Sequence, residues 1–145
     1  MTCAPVRRYS LAMESDNKAI ARGWFELVMN GRDVSAIDAL YADDYTYEGP
    51  DGQTSRGLEQ AKAIARRLID SMPDRVSTVV DQIAEDDRVV TRWVSRGTPT
   101  QPLLGRPPDG RQVNVHGITI SRVADGRIVS DWEILRVVDE SSNTA

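Results

Sequence analysis

Apolar side chains recur at helical spacing at Ile20, Trp24, Leu27 and Val28, with Phe25 beside them. This stripe predicts a first helix that takes Ser15 or Asp16 as its N-cap and stops at Asn30-Gly31. Residues 1–14 show no clean period and read as a flexible leader. A shorter segment carries Val34, Ile37, Leu40 and Tyr41 at similar spacing, and Asp44-Tyr45-Thr46-Tyr47-Glu48 then alternates as a short strand does. Gly49-Pro50-Asp51-Gly52 breaks it. From Ser55 as cap, the stripe Leu58, Ala61, Ile64, Ala65, Leu68 and Ile69 predicts a third helix. It closes at Met72-Pro73, because proline has no N–H with which to continue the ladder.

Beyond Pro73 the period changes to that of a strand. Alternating runs at 76–83, 89–97, 112–123 and 127–138 are separated by Glu85-Asp86-Asp87, by a proline-bearing loop at 99–109 and by Ala124-Asp125-Gly126. Asp-Gly between two apolar runs is a hairpin signal. Three helices and a short strand, followed by four strands with no helix between them, predict an α+β domain. Its helices lie on one face of a curved antiparallel sheet. The domain is expected over 15–139, with 140–145 as a flexible tail.

Composition narrows the class of function. The 145 residues are 40% hydrophobic and 28% charged, which suits one domain with one core. A net charge of -4 with no block of five or more like charges disfavours nucleic acid and anionic membrane surfaces as partners. No stretch is apolar enough for a signal peptide or a membrane span, so a cytoplasmic location is expected. The single cysteine, Cys3, and the single histidine, His116, leave no basis for a disulfide framework or a transition-metal site. Dinucleotide, P-loop, zinc-protease and serine-elbow motifs are missing. Cofactor-free chemistry or plain binding remains.

Strand parity groups the polar candidates. On the last strand Val129, Asp131, Glu133 and Leu135 share one face and Ser130, Trp132, Ile134 and Arg136 the other, so two carboxyls sit next but one. That face is either solvated or lines a cavity. In a cavity, desolvation and mutual repulsion raise at least one of the two pKa values toward neutrality. Arg88, Arg92 and Arg96 oppose Thr91, Trp93 and Ser95. The arginine face is expected at solvent or a subunit interface, with Arg92 alternatively orienting a substrate carboxylate or carbonyl, and Trp93 as a cavity wall. Trp24 reads as core or as cavity wall, beside Tyr41 and Tyr45. Tyr47 is better placed to donate to a carbonyl oxygen.

The series Arg96-Gly97-Thr98, Gly105-Arg106-Pro107-Pro108-Asp109-Gly110-Arg111 and Arg122-Val123-Ala124-Asp125-Gly126-Arg127-Ile128, ending in Asp131-Trp132, resembles the SnoaL-like polyketide cyclases of the nuclear transport factor 2-like superfamily. The helix order of 16–72 fits as well. The resemblance implies a cone, that is, a curved sheet wrapped against three helices around an apolar cavity, usually in a homodimer. Members include aldol cyclases and cofactor-independent hydroxylases of aromatic polyketide biosynthesis. The cyclases place their acid/base aspartate immediately before the tryptophan of the last strand, which matches Asp131. A histidine of the preceding strand falls on Thr119 here. His116 lies on the opposite face unless a bulge near Gly117 turns it inward. The expected function is therefore a cofactor-free acid/base cyclase acting on a hydrophobic, oxygenated polyketide-type substrate. Asp131 exchanges the proton, and His116, Tyr47 or Arg92 stabilises an enolate. A cofactor-free hydroxylase and a non-catalytic binding or assembly module of the same fold are the alternatives.

Overall fold

The first helical stripe folds as a helix, but it begins upstream of the expected cap. In the computed structural model, which describes residues 3–139, α1 spans Cys3–Gly23. Leu11, Ala12, Met13 and Glu14 are good helix formers, and propensity needs no apolar period. The expected tail at 140–145 lies outside the described residues. From Trp24 to Asn30 the chain widens into a π-helical turn, closed by Gly31 N–H donating to Glu26 C=O at 3.0 Å. The wider turn directs Phe25, Val28 and Met29 inward and leaves Leu27 exposed, against the expected stripe. Asn30 pins its end to the sheet: its side-chain amide donates to Ser77 C=O (2.8 Å) and accepts from Ser77 N–H (2.7 Å).

A 3-10 turn at Val34–Ala36 leads into α2 (Ile37–Leu40), which buries Ile37 completely. Strand β1 covers Tyr41–Glu48 and pairs with β2 (Thr54–Arg56), a strand the alternation did not predict. Ser55 is consequently paired with Tyr47 and caps nothing. Helix α3 (Leu58–Ser71) starts after Gly57, whose φ of +90° turns the chain out of β2.

The remaining strands are β3 (Val76–Glu85), β4 (Arg88–Gly97), β5 (Val113–Ala124) and β6 (Arg127–Asp139). The sheet order is β2-β1-β6-β5-β4-β3. All neighbours are antiparallel except β1 and β6, so the expected antiparallel sheet is a mixed one. β1 enters from the helices, which lets it lie parallel to the last strand. Asp125 and Gly126 both have positive φ, 52° and 75°, as a type I′ hairpin turn requires. The inner sheet face buries Val89, Trp93, Val113, Val115 and Val123, and α1, the π-helical turn and α3 pack against it. The architecture is the expected α+β cone.

Candidate active site

The concave face and the helices do not meet everywhere. A cavity of about 260 Å³ remains between them. Trp24, Phe25 and Met29 wall it from the helical side, and Ala61, Ile64 and Leu68 from α3. Pro50 and Asp51 of the β1–β2 turn line it further, as do Leu103 and Leu104 of the proline-bearing loop. The lining is mostly apolar and aromatic with a few convergent polar groups, the usual make-up of a small-molecule site.

Those polar groups centre on β6. Asp131 is only 8% exposed, and each of its oxygens accepts a hydroxyl hydrogen bond. Oδ1 accepts from Ser121 Oγ at 2.5 Å, and Oδ2 accepts from Tyr45 OH at 2.8 Å. Glu133, one side-chain step further, is held in the same way by Thr119 Oγ1 at 2.8 Å and Tyr47 OH at 3.2 Å. The indole Nε1 of Trp93, which can only donate, gives its hydrogen to Thr119 Oγ1 at 2.9 Å. Thr119 therefore accepts from the indole and directs its own proton at Glu133.

Burial sets the charge states. Desolvation pushes the Asp131 carboxyl up to about 6, against the pull of the Ser121 and Tyr45 hydrogen bonds. Glu133 is pushed up to about 7 by burial, with the neighbouring Asp131 charge adding to it. Thr119, Tyr47 and the Arg75 guanidinium pull the other way. Burial, followed by the two carboxylates, holds the phenols of Tyr45 and Tyr47 well above the usual tyrosine value, so they remain neutral donors. Near neutral pH the cavity thus holds an ionised carboxylate beside a carboxyl that is close to half protonated. This is the arrangement general acid/base chemistry needs.

Eight of the residues singled out in the sequence line this cavity: Asp131, Glu133, Tyr41, Tyr45, Tyr47, Trp93, Thr119 and Trp24. Two do not. His116 pairs with Val94 and Arg136 on the outer face, and β5 runs against β4 from Val113 to Arg122 without a register shift. The bulge that would have turned His116 inward is therefore not there. Arg92 is exposed on the same outer face, because parity puts it opposite Trp93. Val129 is likewise not on the carboxylate face: the pairing jumps from Arg122–Ser130 to Val123–Ile128, so Val129 is an extra residue and Ile128 is buried in its place. Sequence reading missed Ser121 and Arg75. Ser121 shares parity with Thr119, which was a usable signal, but its pairing with Asp131 depends on the Val129 bulge. Arg75 sits ahead of β3 in no motif.

The sequence matches the family model of the SnoaL-like polyketide cyclases over residues 19–140. No curated protein sequence matches it significantly. Among solved structures it is similar to a candidate SnoaL-like polyketide cyclase from a Jannaschia species (24% identity, 84% of this chain and 86% of that one, TM-score 0.76). It is also similar to IdmH, a candidate polyketide cyclase from Streptomyces antibioticus (30% identity, 82% and 91%, TM-score 0.70). AclR, a candidate hydroxylase from Streptomyces galilaeus, shares the fold at 22% identity (85% and 76%, TM-score 0.71). The chain belongs to the SnoaL-like polyketide cyclase family, with the nuclear transport factor 2-like fold.

Proposed function

We propose that this member of the family is an acid/base cyclase that needs no cofactor and acts on a hydrophobic, oxygenated polyketide-type substrate. One observation carries the reading: Asp131 and Glu133 stand next but one in an apolar cavity with carboxyl pKa values of about 6 and 7. Ionised Asp131 takes a proton from carbon alpha to a carbonyl. Protonated Glu133, with Tyr47 beside it, donates to the oxygen on which the enolate charge develops. The enolate carbon then attacks a second carbonyl of the same molecule. The resulting alkoxide takes up the proton from Asp131, so a C–C bond replaces a C–H bond and no other reagent enters. Trp24, Phe25 and Trp93 supply flat apolar walls that hold the substrate folded for ring closure.

The test is enolisation itself. With 2-tetralone in deuterium oxide, the protein is expected to speed exchange of the acidic ring protons followed by proton NMR, and Asp131→Asn to lower that rate by about 10² to 10⁴. Exchange at the buffer rate, or undiminished exchange in a folded Asp131→Asn protein, would overturn the assignment. Oxygen uptake separates this reading from cofactor-free hydroxylation, in which the same carbanion reacts with dioxygen.

A further inference from the structure

Arg75 is a cation inside the cavity that the acid/base chemistry does not use. It is 8% exposed and lines the same space as Asp131 and Glu133. Its backbone N–H donates to Met72 C=O at 3.0 Å, and one guanidinium nitrogen, Nη2, reaches Leu68 C=O in the last turns of α3 at a long 3.3 Å. Its Nε is the one buried side-chain polar atom among the described residues with no hydrogen-bond partner.

A guanidinium is charged at every pH a protein meets, and an unsatisfied buried donor on a charged group is among the costlier features a fold can carry. The charge it senses across the cavity is that of Glu133. Glu133 is a poor permanent counter-ion, because its carboxyl, held by Thr119 and Tyr47, is near half protonation at neutral pH. Planar, forked N–H donors match a carboxylate in a way that a lone backbone carbonyl does not.

We propose that Arg75 is a substrate-binding residue whose guanidinium, lining the cavity and incompletely satisfied by the protein, receives a carboxylate on the substrate, so that the cavity selects anionic ligands with an apolar ring body. This deepens the cyclase reading and rests on the cavity being the substrate site. A carboxylate seated on Arg75 fixes one end of the substrate near the α3 side of the cavity and leaves its body extending across the sheet face that bears Asp131 and Tyr45.

The experiment compares naphthalene-2-carboxylate with naphthalene-2-carboxamide, which share shape and differ in charge, by quenching of tryptophan fluorescence at pH 6. The wild-type protein is expected to bind the carboxylate at least about tenfold more tightly than the amide. Arg75→Met should abolish that preference by weakening the carboxylate far more than the amide, a pattern that loss of the α3 contact alone would not produce. Arg75→Lys, which keeps the charge and loses the fork, should retain part of it. Equal binding of the two probes by the wild-type protein, or a preference that survives in Arg75→Met, overturns the assignment while leaving the cavity as the substrate site. Binding of neither probe overturns the cavity reading and this assignment with it.

Discussion

The indole of Trp93 lies directly on Gly117: a β-carbon at that glycine would stand 2.2 Å from Cζ2 of the ring. Strand β5 thus has a residue without a side chain opposite Trp93 because the ring occupies that space, and this contact sets the indole N–H on Thr119. Gly117 serves close packing, not the bulge that its presence in a strand suggested.

Gly117→Ala is therefore expected to displace Trp93 and to destabilise the fold by about 1 to 3 kcal/mol, the usual range for overpacking a filled core. Urea unfolding read at equilibrium measures the loss. Tryptophan emission should change as well, because the ring that moves is a reporter.

The buried carboxyls make stability depend on pH in a stated direction. Both folded-state pKa values are raised, from 3.8 to about 6 for Asp131 and from 4.5 to about 7 for Glu133. Between roughly pH 4 and 7 the native state binds more protons than the unfolded chain, so this contribution to stability is present at low pH and is lost as pH rises through the folded values. Asp131→Asn combined with Glu133→Gln should flatten the dependence and make the protein more stable than wild type at pH 8, by up to about 6 kcal/mol less whatever the lost hydroxyl hydrogen bonds cost. Denaturant midpoints of both proteins at pH 5 and pH 8 check it. A wild-type midpoint that rises between these pH values relative to the variant contradicts the assignment.

The two faces of the sheet should respond differently to mutation. His116→Gln and Arg92→Gln, on the outer face, should leave tetralone exchange within about twofold of wild type. Thr119→Val keeps the shape but removes the hydroxyl between Trp93 and Glu133. It leaves a buried indole N–H unpaired at a cost of about 1 to 3 kcal/mol, and it should shift the upper pH limb of the exchange profile to higher pH, because Glu133 loses a donor that favours its ionised form. A pH–rate profile of the three variants distinguishes the faces.

The outer face also presents Ile118, Trp132 and Ile134, all exposed and on adjacent strands. Such a patch is expected to bring two copies together. Sedimentation velocity at micromolar concentration should give twice the 16.1 kDa chain mass, and Ile134→Glu should return the single-chain value. A wild-type protein that sediments as one chain refutes the dimer.

Much of this molecule is determined by its sequence. Period and alternation alone place α3, the strands β3 to β6 and the Asp125-Gly126 hairpin; on β4 and β5 one face is buried and a shift of one residue would expose the whole set, whereas on β3 the apolar Val76, Val80 and Ile83 are exposed and Ser77 is the buried residue. Two carboxyls next but one on the last strand were legible for the same reason. Parity could not say which way they point. Counting from the hairpin, Ala124 pairs with Arg127, and an unbroken register would set Ser121 opposite Ser130, with Ile128 inward and Asp131 outward. The extra residue at Val129 reverses parity, so Ile128 and Asp131 are both buried. A bulge is a choice made between two strands, and neither strand announces it alone. Arg75 is the same kind of case. Nothing around it in the chain marks it, and it becomes a site residue only because α3, β3 and the curved sheet close around a guanidinium that none of them fully satisfies.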